Sequence, residues 1–158
     1  QLGLGSYRTP FVVVAPSITE GRIEQGVAGQ ADVMATVAGL AGIPHINTTL
    51  GRNLLDEQLS GERAAFVIVH MANPTIGVVG DEFYFRMRVD GTAQQLYRLV
   101  SEQPRENLLE QYPQQAVKMA GQSRALYETA RYIMNNNPRI EDEKTTSIAT
   151  HNEAKGNK

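Results

Sequence analysis

Histidine is the side chain best suited to metal binding and proton transfer near neutral pH. The chain has three, His45, His70 and His151. No two of them have the i, i+4 spacing that places a metal pair on one helix face, and none lies in an HExxH-type motif. His70 ends a short apolar run and could project from a strand end into a cleft. The structural alternative for His70 is a partly exposed strand-end histidine, and the other two histidines are interpreted as structural.

Acidic side chains occur together at Asp81-Glu82 and at Glu141-Asp142-Glu143. A carboxyl group that acts as a general acid needs a buried environment that perturbs its pKa. The first group falls in a predicted hairpin turn and the second near the C-terminus, so both are expected to be solvated. The chain has no cysteine, which excludes disulfides, thiolate zinc sites and cysteine nucleophiles within it. The residues alone therefore present no complete catalytic set.

Length and composition limit the classes of protein that remain. The 158 residues suffice for one domain that buries a sizeable core. The formal net charge of −2 and the pI near 5.9 argue against a nucleic-acid binder, which needs a basic surplus. No apolar run approaches the roughly 20 residues of a membrane span.

The N-terminal third predicts one buried strand followed by one helix. The run 11–15 (FVVVA) lies between two prolines and is apolar on both faces, which is typical of a central strand covered on both sides. After a glycine-rich loop, apolar residues recur at helical spacing from Ala31 to Ala41, and Gly42 and Pro44 end that helix. Asp32 would complement the dipole at its N-terminus.

The middle of the chain predicts an antiparallel meander of four strands: 64–70, a strand around Val78-Val79, 83–89, and 92 to about 100. In the third strand, apolar and polar side chains alternate, which predicts one buried face. Asp90-Gly91 is a strong hairpin signal between the last two strands. From Pro113 the period becomes helical and continues to about Asn135, and residues 139–158 are predicted to be a polar surface tail.

Several segments resemble, in order, the C-terminal part of sulfatase-type enzymes. The run 8–16 (RTPFVVVAP) is similar to the strand that follows the last metal-ligand motif in that family. The runs 29–36 (GQADVMAT) and 40–43 (LAGI) resemble the next helix, although Ala35 replaces the usual proline. The run 51–55 (GRNLL) resembles the following Gly-x-x-Leu element.

The most specific similarity is to the C-terminal signature of the family. The runs 95–99 (QLYRL) and 102–108 (EQPRENL) resemble Leu-Tyr-Asp-Leu, Asp-Pro-x-Glu and Asn-Leu. Arg98 stands in place of the usual aspartate, and the gap before Asn107 is shortened. The resemblance covers about residues 8–138 and points to the alkaline phosphatase superfamily, most closely to membrane-anchored enzymes of the lipoteichoic acid synthase type.

The resemblance implies a fold and a division of labour. Residues 1–63 would end the main α/β domain, residues 64–138 would form a small antiparallel subdomain with a closing helix, and the fragment itself would be α+β. The nucleophile and metal ligands of the family map to no position of this chain. The intact enzyme would therefore use a divalent metal held elsewhere, to transfer or hydrolyse a phosphate or sulfate ester at the periplasmic or extracellular face of the membrane.

The fragment would then supply scaffold and one wall of the substrate cleft. The candidate anion contacts are Arg8, His70, Arg86 and Arg88, each of which has the alternative of a plain surface or strand residue. A central strand needs neighbouring strands and covering helices, and this chain supplies few of them. We therefore expect exposed apolar side chains around 11–15 and on the helix from Ala31. The missing N-terminal part, or a second copy, would cover them. The alternative function is a non-catalytic binding or scaffolding module.

Overall fold

The computed structural model describes residues 8–16, 18–21, 23–56, 63–70 and 73–137. They form an α+β fold with one helix before a four-stranded antiparallel sheet and a long helix after it, as the sequence predicts. The elements are α1 (Asp32–Ala41), β1 (Ala65–Val69), β2 (Thr75–Val79), β3 (Phe83–Arg88), β4 (Gln95–Arg98) and α2 (Pro113–Asn136). The predicted tail at 139–158 lies outside the described residues.

The sheet is a meander in which each strand pairs with the next, in the order β1-β2-β3-β4. Helix α2 packs on one face of it. That face and the helix enclose a core of apolar side chains, most of them less than 3% exposed. The core residues are Ile76, Val78, Phe83, Phe85, Met87, Leu96, Leu108, Ala116 and Met119.

Helix α2 begins at Pro113, where a missing N–H costs no helical hydrogen bond. Its buried residues are Ala116, Met119 and Ser123, so a serine lies among the buried side chains of the helix. The Ser123 hydroxyl donates to the Met119 carbonyl oxygen at 2.9 Å, which satisfies this polar group within the helix. Helical spacing predicts Met134 beside the apolar stripe of this helix, but its side chain is 81% exposed.

The connection between β3 and β4 is longer than a two-residue hairpin, because the paired strands end at Arg88 and restart at Gln95. Within it, the Thr92 backbone N–H and hydroxyl both donate to the Asp90 carboxylate, at 2.8 and 2.6 Å. Gly91 takes a φ of 87°, in the left-handed region that favours glycine. The hydrogen bonds from Thr92, side chain first, hold the pKa of Asp90 below its ordinary value.

The predicted central strand at 11–15 is not formed. Residues 11–15 are irregular, and Val12 and Val14 are 77% and 90% exposed. A strand that is apolar on both faces needs hydrogen-bonded neighbours and covering layers, and none is paired with this run in the described residues. On α1, Met34, Val37 and Leu40 are exposed as well. The expected exposure of these apolar side chains is therefore confirmed, whereas the strand is wrong.

Candidate functional site

A polar junction joins the start of α1 to the loop at 51–54. Asp32 is only 2% exposed, and its carboxylate accepts hydrogen bonds from the Gly29 and Arg52 backbone N–H groups at 2.7 and 2.8 Å. The Arg52 guanidinium lies against the same carboxylate, with Nη2 3.3 Å from Oδ2. Arg52 Nη2 also donates to the Ala64 carbonyl oxygen, just before β1. Asp32 lies at the N-terminus of the helix, as predicted. Its carboxylate also compensates the charge of Arg52.

Two further residues complete the polar junction, which we define as Asp32, Thr36, Gly51 and Arg52. The Thr36 hydroxyl donates to the Asp32 carbonyl oxygen at 2.7 Å and accepts from the Leu54 backbone N–H at 3.1 Å. Gly51 is buried so close to α1 that a Cβ there would overlap the Ala31 carbonyl oxygen. The glycine is therefore needed for close approach of the two backbones.

A cleft of about 390 Å³ opens beside the polar junction, between the edge of β1 and the middle of α2. Its charged groups are Asp32 and Arg52, which neutralise each other. The remaining wall is largely apolar, so the cleft has shape but little net charge with which to attract an anion. It is lined by Gly29, Gln30, Ala31, Asp32, Leu50, Arg52, Ala64, Ala65, Phe66, Gln122, Ala125 and Leu126.

The second polar region lies on the sheet face opposite α2, and we call this polar part of the face the arginine face. The strand register sets Arg86 between Gly77 and Gln95, and Arg88 beside Thr75. Tyr84 and Tyr97 are paired in the neighbouring row, with ring centroids 6.2 Å apart and planes 25° from parallel. The arginine face comprises Thr75, Gly77, Tyr84, Arg86, Arg88, Gln95 and Tyr97.

The Arg86 guanidinium is held on two sides. Its Nε donates to Gln95 Oε1 at 2.6 Å, and its Cζ lies 5.7 Å from the centroid of the Tyr97 ring. Tyr84 is buried on this face too, because its ring lies over Gly77, where a Cβ would come within 3.2 Å of the ring edge. Arg86 is thereby oriented by an amide and an aromatic ring, and no carboxylate of the described residues takes part.

The other predicted anion contacts are placed differently. Arg88 is exposed at the end of β3, and its charge contributes, less than the Thr92 hydrogen bonds do, to the lowered pKa of Asp90. His70 is exposed directly after β1. The register brings the last residue of β1, Val69, into the row of Arg88, so His70 and Arg88 lie at the same end of the sheet. Arg8 is exposed in the irregular N-terminal segment, which the sheet pairing does not include.

The two runs 95–99 and 102–108, which resemble a C-terminal signature, contact each other. The Asn107 side-chain oxygen accepts from the Leu96 backbone N–H at 3.0 Å, and the Leu108 N–H donates to the Leu96 carbonyl oxygen at 2.8 Å. Arg98 pairs with Glu82 at 2.9 Å and donates to the Tyr112 hydroxyl at 2.9 Å. Residues 107–108 therefore dock on β4 and fix the chain ahead of α2.

Sequence reasoning did not identify Arg52 or Gln95 as functional neighbours. Arg52 lies 20 residues from Asp32, and no periodicity connects a helix start with a distant loop. The one available signal was that the runs 29–36 and 51–55 both belong to the family resemblance. Gln95 lies in the run 95–99. Its position opposite Arg86 depends on the strand register, which is set by the connection at 89–94.

Within the described ranges, no group of three or more histidine or acidic side chains is placed to hold a metal ion. No helix in the described part of the chain has the length and apolarity that crossing a membrane requires. No protein-family model matches the chain, and no curated protein matches it either.

Proposed function

We propose that this chain is the C-terminal part of a metal-dependent enzyme of the sulfatase type, most like the lipoteichoic acid synthases. In this proposal the intact enzyme transfers or hydrolyses a phosphate or sulfate ester. The residues in hand contribute scaffold and one wall of the substrate cleft, while the catalytic residues lie elsewhere. The alternative remains a non-catalytic binding or scaffolding module.

The observation that carries the proposal is that segments linked by the family resemblance are also linked by hydrogen bonds. The runs 29–36 and 51–55 are far apart in the chain, yet Asp32 and Thr36 bind the backbone of Arg52 and Leu54. The two halves of the C-terminal signature meet through Asn107 in the same way. The segments that carry the resemblance therefore contact each other in pairs, and this spatial arrangement supports the proposal.

The exposed apolar side chains support a covering partner. Val12, Val14, Met34 and Ile43 are each more than 60% exposed. Contiguous exposed apolar surface on soluble proteins generally marks an interaction site. In the proposal, the N-terminal catalytic part of the same protein covers this surface, and self-association of the chain is the substitute when that part is absent.

The divalent metal of the proposed enzyme does not fit the residues described here. They contain no cluster of metal-ligating side chains, and the carboxylate of Asp32, which is nearly fully buried, is already occupied by Gly29 and Arg52. No step of the reaction is therefore assigned to a metal bound by this chain. The placement at the outer face of the cytoplasmic membrane belongs to the same proposal and rests on the resemblance.

The first test is the reading frame upstream of Gln1, which is expected to encode an Asp-His metal pair and an earlier threonine or serine nucleophile. The second test is hydrolysis by the intact protein of bis(4-nitrophenyl) phosphate and 4-nitrophenyl sulfate, with and without EDTA. We expect activity on at least one ester, loss of that activity with EDTA, and recovery when a divalent metal is added back.

Substitutions connect this activity to the chain in hand. Arg86→Ala is expected to lower kcat/KM about tenfold at an unchanged melting temperature, which is the size of one lost charge-assisted hydrogen bond. Arg105→Ala is the matched control, because Arg105 is an exposed arginine in the loop before α2. An intact protein that hydrolyses neither ester, from a frame without the Asp-His pair, would favour the binding-module alternative.

A further inference from the structure

Arg86 differs from three ion-paired arginines of the described residues in the charge of its partner. In each of these three pairs, a terminal guanidinium nitrogen lies 2.9 to 3.3 Å from a carboxylate oxygen. The pairs are Arg52–Asp32, Arg98–Glu82 and Arg131–Glu128. Arg86 instead donates its Nε to the neutral side chain of Gln95 at 2.6 Å. In the described part of the chain, no carboxylate comes within ion-pair distance of Arg86.

Among the described residues, the neighbours of Arg86 on the arginine face are neutral or positive. Gly77 and Gln95 flank it across the sheet, and Tyr84 and Arg88 are its neighbours along β3 on the same face. The side chain is half-buried, so water solvates its charge only in part. A partly desolvated positive charge without a counter-charge is unfavourable, and an anion that binds there relieves the cost.

The geometry leaves one edge of the guanidinium for a ligand. Nε donates to Gln95, and Cζ lies 5.7 Å from the centroid of the Tyr97 ring. In the described residues, neither terminal nitrogen of Arg86 donates to a protein group. Two terminal nitrogens in a rigid fork match the oxygen spacing of a phosphate or sulfate group.

We propose that Arg86 binds one tetrahedral oxyanion, the phosphate or sulfate group of an ester, and that Gln95 is the positioning residue that holds Arg86 for it without cancelling its charge. The proposal rests on the proposed function and sharpens it, since it selects Arg86 from four candidate contacts. Arg88 is set aside because it is exposed and interacts with Asp90. The neutrality of the residue at position 95 is thus the determinant of anion binding.

The deciding variant is Gln95→Glu. It keeps the length of the side chain and the acceptor for Arg86 Nε, but it adds a carboxylate that pairs with Arg86. We expect the 158-residue chain to bind inorganic phosphate or inorganic sulfate saturably, seen as a shift of the Arg86 Nε–H resonance in NMR spectra. Gln95→Glu is expected to weaken that binding at least about tenfold while the melting temperature stays equal or rises.

Two further variants keep the test decisive whatever happens to Gln95→Glu. Arg86→Gln is expected to abolish saturable binding, and Arg105→Ala is expected to leave it unchanged. In the intact enzyme, Gln95→Glu is expected to raise KM with little effect on kcat, which a merely structural role for Gln95 would not produce. The anion that binds more tightly, phosphate or sulfate, assigns the class of ester, and comparable binding of both still supports an oxyanion site.

The proposal is overturned if neither anion moves the Arg86 resonance, or if Gln95→Glu binds phosphate and sulfate as well as the unaltered chain does. Failure of this site is distinguishable from failure of the proposed function. An intact enzyme that hydrolyses its ester with an unresponsive Arg86 keeps the function and loses the site. Anion binding at Arg86 in an intact protein without EDTA-sensitive hydrolysis keeps the site and loses the function.

Discussion

The two ends of this fold are held together by different forces. The sheet and α2 enclose a continuous apolar core, in which Phe85 and Leu96 are fully buried. Helix α1 buries only Asp32, Ala35 and Thr36, two of which are polar, and it exposes most of its apolar side chains. The first region is stabilised chiefly by burial of apolar surface, and the second by hydrogen bonds and one ion pair at the polar junction.

Because the two regions are stabilised differently, we expect them to respond differently to the removal of one side chain. A core of interdigitated side chains loses stability globally when one member is removed. A helix that is held by a few polar contacts can unfold locally while the rest of the structure stays folded. The predictions below separate these two responses, beginning with the largest expected effect.

Phe85→Ala should be the most damaging change. Phe85 is fully buried between β2, β4 and α2, and its removal leaves a cavity that costs about 3–5 kcal/mol of unfolding free energy. Urea denaturation followed by circular dichroism measures the loss. Val100→Ala, at a side chain that is 89% exposed, is the control and should stay within about 0.5 kcal/mol of the unaltered chain. Similar midpoints for the two variants would contradict the assignment of the core.

Asp32→Ala should destabilise the polar junction by about 3 kcal/mol, because it leaves the Arg52 guanidinium and two backbone N–H groups without their acceptor. Hydrogen exchange should accelerate in α1 and at 51–54, while the amides of β2 and β3 keep their protection. Equal acceleration in β3 would mean that the two regions unfold as one unit. Glu20→Ala, at an exposed acidic residue, is the control.

Gly51→Ala tests the close approach of two backbones in the polar junction. The added Cβ overlaps the Ala31 carbonyl oxygen, and the resulting backbone shift should cost about 1–3 kcal/mol. Gly21→Ala makes the same chemical change where no atom lies within 4 Å of the new Cβ. A melting-temperature difference between the two alanine variants measures the strain, and its absence would contradict the tight contact.

Asn107→Ala should have a smaller effect of about 1–2 kcal/mol. It removes the acceptor for the backbone N–H groups of Leu96 and Leu109, while the Leu108 N–H still donates to the Leu96 carbonyl oxygen. Thermal unfolding measures the loss. Gln103→Ala, in the exposed part of the same loop, provides the comparison.

The smallest effect concerns pH. The folded-state pKa of Asp90 is lowered from its ordinary value of 3.8, first by the Thr92 hydroxyl and then by the Thr92 N–H. The stability it contributes is therefore present above about pH 4 and is lost as the pH falls through the folded-state pKa. An NMR titration should give an Asp90 midpoint below 3.8, and Thr92→Val should raise that midpoint. An unchanged midpoint in the variant would contradict the hydroxyl as the main cause.

The sequence predicted the sheet and α2 well because period-2 and period-3.6 patterns report directly on burial. In the described part of the chain, the four strands of the sheet and the two helices lie where the patterns place them, within a few residues. The strand at 11–15 was wrong because its apolar pattern reports only that these side chains need cover, and nothing in the described residues provides it. The polar junction could not be predicted, since the contact between Asp32 and Arg52 depends on how a loop folds back rather than on any local period.

The docking of residues 107–108 on β4 has a consequence for how the protein can associate. An edge strand with free backbone groups can recruit a strand from another chain. At Leu96, in the middle of β4, both the N–H and the carbonyl oxygen are already bonded to this segment. That margin of the sheet is closed to strand addition by a second molecule. Among the described strands, extension of the sheet, in assembly or in aggregation, is therefore expected at β1 rather than at Leu96 of β4.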